Sequence, residues 1–446
     1  MGITSAFFAA TSGINATSRA LSEIGNNIAN AQTIGYKSRS VSFGDLFGAT
    51  IGGGGTSTAL VEGRGVRVLG IDPSFTQGSL QTTSNSLDLA IDGDGFFQVK
   101  DSAGNNFFSR AGQFNIDANG FFVNPAGLRL QGKNGITQAA GDLQLDTTPQ
   151  PAVATSLVNL SGNLKAKEPI IAPTNAQLLL NPSDPANSQF SQGIQVFDSL
   201  GIGHDVTVYF SKTAPDTWQY SVIAQAGEVD SSLENATTGN ALVLQGDLTF
   251  NSSGFLFDEI NQTYFNPGGT GIDFRDPISP ISTPALNQIV AFDFGNNINS
   301  DGGSGTDGMT QQGSPSVLLT LKQDGFANGK LTGTAIGEDG VVTGKFSNGT
   351  TQNIGQITLG QFINPDGLQP IGRNLFIQSA DSGTPLVGDP GTGAFGKVIS
   401  SSLEASNVDL GEELVNMIIM QRGFQANSRI ITTSNDLLGE LVNLAR

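Results

Sequence analysis

Apolar residues recur every seven positions at both ends of this chain. The repeat consists of Phe7, Ile14, Leu21 and Ile28 near the start, and of Leu410, Met417, Phe424, Ile431 and Leu438 near the end. Proline interrupts neither run. A repeat of this period is typical of a helix whose apolar stripe packs against another helix. The two ends are therefore predicted to form paired, coiled-coil-like α-helices.

Local signals place the ends of these two helices. The first is predicted over Ile3–Ala31, and Gly35 can stop it. The second is predicted to begin near residue 407, where Ser406 or Asn407 can serve as the N-cap. Acidic side chains in its first turn favour the positive end of the helix dipole.

Several glycines lower the helix propensity of both predicted helices. They are Gly13, Gly25, Gly411, Gly423 and Gly439. Two lone helices of this composition would bury too little apolar surface to offset the conformational entropy lost on ordering them. We therefore expect them to complete their burial against other copies of the chain. The alternative is a pair of ordinary core helices in one compact domain.

The apolar periodicity disappears after the first helix. Residues 35–70 are predicted to form a flexible or extended connector. The connector contains Gly52–Gly55, flanked by threonine and serine, and such a run is flexible. It is interpreted either as a plain loop or as a compliant link that lets the helices and the outer parts of the chain move separately.

Short apolar runs separated by glycine, asparagine and aspartate fill the middle of the chain, and this spacing predicts antiparallel β-structure. Residues 71–150 are predicted as one such region, in which Leu87–Ile91 alternates. Residues 151–313 are predicted as another, with a strand at His204–Phe210. Strands resume in residues 314–402. The fold class predicted from these patterns is mixed and mainly β.

Composition narrows the classes of function. The formal net charge of −18 argues against nucleic acid and anionic membranes as partners, because both bind to positively charged protein surfaces. No apolar run is long enough for membrane insertion, and the start of the chain lacks the features of a cleaved signal peptide. Cysteine is absent, so no disulfide or thiolate metal site is expected. The 59 glycines favour an extracellular type of β protein, with a cytoplasmic one as the alternative.

Four features resemble catalytic or ligand sites, and each has a simpler structural interpretation. Gly391–Gly396 fits G-x-G-x-x-G but lacks the flanking strand and helix, so a turn is predicted. Asp92–Gly95 lacks the later ligands of a calcium loop, which again predicts a turn. His204 is the only histidine and is predicted to be an ordinary strand residue, whereas Glu412 and Glu413 suit a helix start. We expect the chain to have no enzymatic activity and to bind neither a metal nor a cofactor.

Longer motifs carry a family resemblance. Ser402–Leu410, Val415–Ile418 and Gln421–Ser428 resemble the C-terminal signature of bacterial flagellar axial proteins. Asn26–Lys37 resembles the N-terminal motif of their rod and hook members. The chain as a whole most resembles hook proteins. Residues Val196–Gly201 also resemble part of the outer domain of hook proteins.

The resemblance implies a nested arrangement of domains. Residues 1–34 and 403–446 would form a terminal helical domain. Residues 71–150 and 314–402 would together form a discontinuous inner β domain. Residues 151–313 would be an outer β domain inserted into it. Nesting suits two paired terminal helices, because they bring both ends of the intervening chain to one place.

The resemblance also implies a set of functional residues. The seven-residue repeat, Phe7 to Ile28 and Leu410 to Leu438, would form the assembly interface. The residues carried over as a family motif are Asn27, Asn30, Gly35, Tyr36, Asn407 and Asp409.

The function that follows is a structural subunit polymerising into a curved, flexible tube that couples the flagellar rod to the filament and transmits torque. Its partners would be further copies in a helical homopolymer, the distal rod protein, the hook cap protein and the hook–filament junction protein. The expected location is the hook and basal body, outside the cell, after export through the flagellar type III apparatus. Two alternatives stay open: a distal rod protein and a secreted β-rich adhesin or binding module.

Overall fold

The computed structural model describes residues 2–46, 49–51, 60–62, 64–135, 139–145, 148–225, 227–229, 234–265, 271–274 and 285–444. The glycine run Gly52–Gly55, which is predicted to be flexible, lies outside these residues. The chain forms two compact units. One comprises Met1–Thr147, Gly333–Lys345 and Thr351–Arg446, and the other comprises Thr148–Thr332 and Phe346–Thr350.

Strands dominate the described residues. The α-helices are α1 (Gly2–Ala29), α2 (Asn175–Leu180) and α3 (Leu410–Leu444), with a 3₁₀ turn at Pro365–Gly367. The first strands are β1 (Arg39–Asp45), β2 (Ala49–Ile51), β3 (Leu60–Glu62), β4 (Val66–Pro73), β5 (Leu80–Thr82), β6 (Leu89–Asp92), β7 (Phe96–Lys100), β8 (Asn106–Ser109), β9 (Asn115–Ile116), β10 (Phe122–Val123), β11 (Arg129–Asn134) and β12 (Ala139–Asp142). The middle strands are β13 (Leu157–Lys165), β14 (Phe190–Phe197), β15 (Gly203–Ala214), β16 (Thr217–Ala224), β17 (Ala241–Phe250), β18 (Leu256–Tyr264), β19 (Ile272–Phe274), β20 (Ala285–Gln288), β21 (Ala291–Asp293), β22 (Met309–Gln312) and β23 (Val317–Gln323). The last are β24 (Leu331–Ile336), β25 (Val341–Phe346), β26 (Thr351–Ile357), β27 (Leu359–Gln361), β28 (Gln369–Gly372), β29 (Leu375–Ile377), β30 (Leu386–Gly388), β31 (Lys397–Ser400) and β32 (Ser402–Glu404).

The two terminal helices pack against each other, as the seven-residue repeats predict. The start of α3 differs from the prediction. Its N-cap is Asp409, whose Oδ1 accepts hydrogen bonds from the backbone amides of Gly411 at 2.7 Å and Glu412 at 3.2 Å. The prediction of Ser406 or Asn407 as the cap is wrong by two to three residues, because the Asn407 side chain is bonded to another part of the chain.

The segment after α1 contains an antiparallel ladder. Strands β1 and β4 pair from Arg39 opposite Pro73 to Asp45 opposite Val66, with a bulge between Ser42 and Phe43. Both strands also contact α1. This ladder occupies part of the segment predicted as a connector.

The β-structure of the first unit is built around a sheet in the order β24-β25-β26-β11-β7-β8-β29-β28. A cluster of aromatic rings packs in this unit, including Phe108 and Phe362 with ring centroids 4.8 Å apart. Strand β6 corrects one detail of the sequence analysis. Leu89, Ala90 and Ile91 are all fully buried instead of alternating, because the strand is covered on both faces.

The second unit contains a five-stranded antiparallel meander, β14 to β18, and a smaller sheet formed by β21, β13, β22 and β23. One apolar cluster joins the two sheets, and Trp218 is fully buried within it. Its indole Nε1 donates a hydrogen bond to Gln311 Oε1 at 3.0 Å. The predicted strand at His204–Phe210 is confirmed as part of β15. The molecule is thus mainly β with paired terminal helices, as predicted.

Candidate functional site: the terminal helices and their polar base

The contact between α1 and α3 is lined by small side chains. A Cβ placed on Gly13 would lie 2.6 Å from Asn427 Nδ2, and one on Gly423 would lie 3.6 Å from Thr17 Cγ2. The buried alanines of α1 are Ala10, Ala16 and Ala20. Small residues let the two backbones approach closely at these positions.

None of the nine side chains of the predicted seven-residue repeat is fully buried within one chain. Phe7, Leu410, Phe424 and Leu438 are exposed, whereas Ile14, Leu21, Ile28, Met417 and Ile431 are half-buried. Glu413, Gly423 and Asn427 are among the residues of α3 that contact α1.

Large apolar side chains cover much of the remaining surface of α3. Val415, Ile418 and Ile419 are each at least half exposed. Leu414, Ile430 and Leu437 are exposed as well, and so is Phe8 on α1. Sequence reasoning missed Val415, Ile418, Ile419 and Phe8 because they lie outside the repeat. The signal that identifies them is that α3 is apolar on several faces, which is typical of a buried helix.

Asn27 connects the end of α1 to three other elements. Its Nδ2 donates to the Arg39 carbonyl at 2.9 Å and to Glu413 Oε1 of α3 at 2.8 Å. Its Oδ1 accepts from the Tyr36 hydroxyl at 3.1 Å and the Arg39 amide at 3.0 Å. Burial raises the pKa of the Tyr36 phenol, which keeps it a donor. The amide of Asn27 is therefore fully used in positioning the two helices.

Two other motif residues shape the turn after α1. Gly35 has φ of +68°, and an added Cβ would lie 2.5 Å from the backbone nitrogen of Ala111. Its amide donates to the carbonyl of Glu404 at 2.8 Å. Asn30 Nδ2 donates to the Asn26 carbonyl at 2.9 Å and so closes the end of the helix. Only glycine suits the Gly35 position, on both conformational and steric grounds.

A buried ion cluster lies beneath the helices. Glu404 is fully buried, and its Oε1 accepts from Lys37 Nζ at 2.7 Å and from the Gly78 amide at 2.9 Å. Its Oε2 lies 3.5 Å from Arg110 Nη1. Lys37 Nζ also donates to the Thr76 carbonyl at 2.7 Å. Burial lowers the pKa of both Lys37 and Arg110, and the charge of Glu404 opposes this. This cluster ties the start of the chain to β32, the strand before α3.

Asn407 joins the same two parts of the chain. Its Oδ1 accepts from the Ser38 amide at 2.7 Å, and its Nδ2 donates to the Ser74 carbonyl at 2.9 Å and to Thr76 Oγ1 at 2.9 Å. The neighbouring Asp409 caps α3. All six motif residues thus lie at the base of the helical pair, and their contacts fix how α1 and α3 leave the β-structure.

The other candidate residues have structural roles. His204 is buried in the second unit, with Nδ1 2.6 Å from Glu228 Oε2 and its ring stacked on Phe274. Gly391–Gly396 forms a turn closed by a backbone hydrogen bond of 3.0 Å, and positive φ angles at Gly93 and Gly95 confirm the second predicted turn. Within the described ranges, no three histidine or carboxylate side chains are grouped to hold a metal. None of the helices described combines the length and hydropathy needed to cross a bilayer.

Four family profiles match this chain. Residues 8–37 match "Flagella basal body rod protein", and residues 90–176 match "Flagellar hook protein FlgE/F/G D1 domain". Residues 163–326 match "Flagellar basal body protein FlaE D2 domain". Residues 399–444 match "Flagellar basal body rod FlgEFG protein C-terminal".

Full-length relatives are similar to the chain throughout. It is 36% identical over 447 residues to the flagellar hook protein FlgE of Escherichia coli strain K12, covering 98% of this chain and 100% of that protein. It is 33% identical over 468 residues to the flagellar hook protein FlgE of Treponema pallidum strain Nichols, covering 98% and 99%. A crystal structure of the Helicobacter pylori flagellar hook protein FlgE2 is similar at a TM-score of 0.49 and 16% identity, covering 73% of this chain and 100% of that one. That similarity is too weak to add to the fold described above.

Proposed function

Because this chain belongs to the flagellar hook protein family, we propose that its terminal helices join it to other copies of itself in the tube of the hook. The chain is a structural subunit of the flagellar hook. Its relatives named hook proteins match it over nearly their whole length, which favours the hook over the distal rod and the adhesin.

The exposed apolar surface of α3 carries the proposal. Leu410, Leu414, Val415, Ile418, Ile419, Phe424, Ile430, Leu437 and Leu438 are between 37% and 56% exposed. Burying the exposed half of each would contribute about 1 kcal/mol per residue, or on the order of 9 kcal/mol for one helix. Association also loses translational and rotational freedom. The stabilisation available is large enough to matter for assembly, and a lone chain leaves it unused.

The proposed contact joins two different surfaces of the subunit, and this difference determines the geometry of the polymer. Copies that meet through two different surfaces, head to tail, continue into a helical tube when the rotation does not close a ring. The interface we propose comprises Phe7, Ile14, Leu21 and Ile28 of α1 and Leu410, Met417, Phe424, Ile431 and Leu438 of α3. The described side chains of Val415, Ile418 and Ile419 extend it.

The remaining parts of the chain take their roles from this arrangement. The helical pair of residues 1–34 and 403–446 would lie innermost, with residues 35–70 as connector. Residues 71–150 with 314–402, and then the inserted residues 151–313, would lie farther out. Polar contacts between outer domains would shift easily as the hook bends. The partners proposed are the distal rod protein, the hook cap protein and the hook–filament junction protein, reached after export through the flagellar type III apparatus.

A single substitution on α3 tests the proposal. Ile418→Asp places a charge on a side chain that is 50% exposed, so the fold of one chain should tolerate it. Burying that charge between copies would be strongly unfavourable. We expect the full-length variant to keep the circular dichroism of the original chain and to lose sedimentable polymer.

Gln378→Asp is the matched control, because it adds the same charge at an exposed polar position outside the terminal helices. It should leave polymer formation close to that of the unsubstituted chain. Tubes of normal yield formed by the Ile418→Asp variant would contradict the proposed role of α3.

A further inference from the structure

The face of α3 that points away from α1 carries an ordered pattern of charge. Glu413, Gly423 and Asn427 mark the side that contacts α1. Arg422, Arg429, Asp436 and Glu440 are separated by seven, seven and four positions, so all four fall on one stripe of the opposite side. Each is exposed. The stripe is therefore basic in the middle of the helix and acidic towards its C-terminal end.

These four charges lack an opposite charge nearby in the part of the chain that the structure describes. Among the described residues none of them has an ion-pair partner. Asp436 and Glu440 are four positions apart, where like charges weaken a helix. Exposed apolar side chains, Val415 and Ile418, occupy the same side of α3. A helix face of this kind combines apolar area with unpaired charges of both signs.

The spacing of the charges selects a relative position for two parallel copies of α3. If the two copies had no axial shift, the arginines of one copy would face the arginines of the next. The carboxylates would then face carboxylates. The centre of the arginine pair lies 12 to 13 residues before the centre of the acidic pair. At 1.5 Å per residue, an axial shift of roughly 19 Å brings the two pairs opposite each other.

We propose that this stripe is an electrostatic register between neighbouring copies in the polymer. Arg422 and Arg429 of one copy face Asp436 and Glu440 of a second, parallel copy displaced by about 11–14 residues, or roughly 16–21 Å. The inference rests on the proposed function, since it assumes copies joined head to tail. Antiparallel helices would match the charges as well, but they would give a closed pair with twofold symmetry.

Charge exchange between copies tests the register. One full-length variant carries Arg422→Glu and Arg429→Glu, which makes its stripe entirely acidic. The other carries Asp436→Lys and Glu440→Lys, which makes its stripe entirely basic. We expect each variant alone to raise the critical concentration for polymer formation by at least about tenfold, as like charges now meet. An equimolar mixture should form polymer again, because every contact between unlike variants pairs acid with base. The chain with all four substitutions should also assemble by itself.

The control is Lys167→Glu with Lys322→Glu, which makes the same change in net charge as the arginine variant, at exposed positions outside α3. It should assemble normally. Recovery in the mixture shows that both stripe variants are folded, and raised salt should weaken their effect. Normal assembly of either variant alone, failure of the mixture, or a mixture that yields discrete two-chain particles would each overturn the register. If the unsubstituted chain forms no polymer, the proposed function fails first and the register with it.

Discussion

Removing the charge of Glu404 is the sharpest perturbation of the base that holds the terminal helices. Glu404→Gln keeps the length of the side chain and can still accept from the Gly78 amide. It leaves Lys37 and Arg110 without their counter-ion, although the side chains of both are at most 3% exposed. The main consequence is that two positive charges remain buried without their negative partner.

The structure gives the magnitude. Removing one partner of a buried ion pair costs about 3–5 kcal/mol. Retained hydrogen bonds of about 1 kcal/mol reduce this to roughly 3 kcal/mol. The first unit spans 147, 13 and 96 residues, 256 in all. At about 2–4 °C per kcal/mol for units of this size, its melting temperature should fall by about 6–12 °C.

Calorimetry of the full chain at neutral pH measures the effect. Trp218 is the only tryptophan and lies in the second unit, so its fluorescence follows that unit separately. The control is Glu338→Gln, since Glu338 pairs with Lys397 at 2.8 Å on the surface. It should leave the melting temperature of the first unit almost unchanged, because exposed ion pairs contribute little to stability. A Glu404→Gln chain that melts within about 1 °C of the original would refute the role assigned to the cluster.

Three further perturbations follow from single residues. Asn27→Ala removes four hydrogen bonds and should lower the stability of the first unit by about 2–3 kcal/mol in urea unfolding followed by circular dichroism; no loss would contradict its connecting role. Gly35→Ala places a Cβ 2.5 Å from Ala111 N at a φ of +68° and should cost more than about 1 kcal/mol in the same assay. Burial raises the pKa of Glu259 to about 7, from 4.5, so its contribution to stability is fully present below pH 4.5 and is lost as pH rises through 7. Glu259→Gln should therefore match the original chain at pH 4 and be about 2–3 kcal/mol more stable at pH 8 by Trp218 fluorescence; equal stability at both values would count against this.

Periodicity in the sequence predicted the helices and their pairing but not the small residues that line their contact. The repeat of large residues marks α1 and α3 clearly, because a seven-residue apolar spacing is typical of helices that pack against other helices. Within one chain, however, small residues such as Gly13 and Ala16 form the contact. Glycine and alanine give a weak hydrophobic signal, so a pattern based on large side chains does not identify them.

The motif at the base could be located from sequence by resemblance, whereas its contacts could not. Lys37, Arg110 and Glu404 are far apart along the chain, and nothing in their spacing indicates one buried cluster. The same limit applies to the N-cap. Ser406, Asn407 and Asp409 are all good caps. Asp409 takes the role because Asn407 is bonded to Ser38, which only the folded chain brings near.

Hydrogen–deuterium exchange of the full chain, free and polymerised, shows whether the terminal helices are completed by neighbouring copies. The amides of α1 and α3 should exchange quickly in the free chain and become strongly protected in the polymer, while the strands β15 to β17 of the second unit stay protected in both. Terminal helices that are equally protected in the free chain, and gain nothing on polymerisation, would contradict the account.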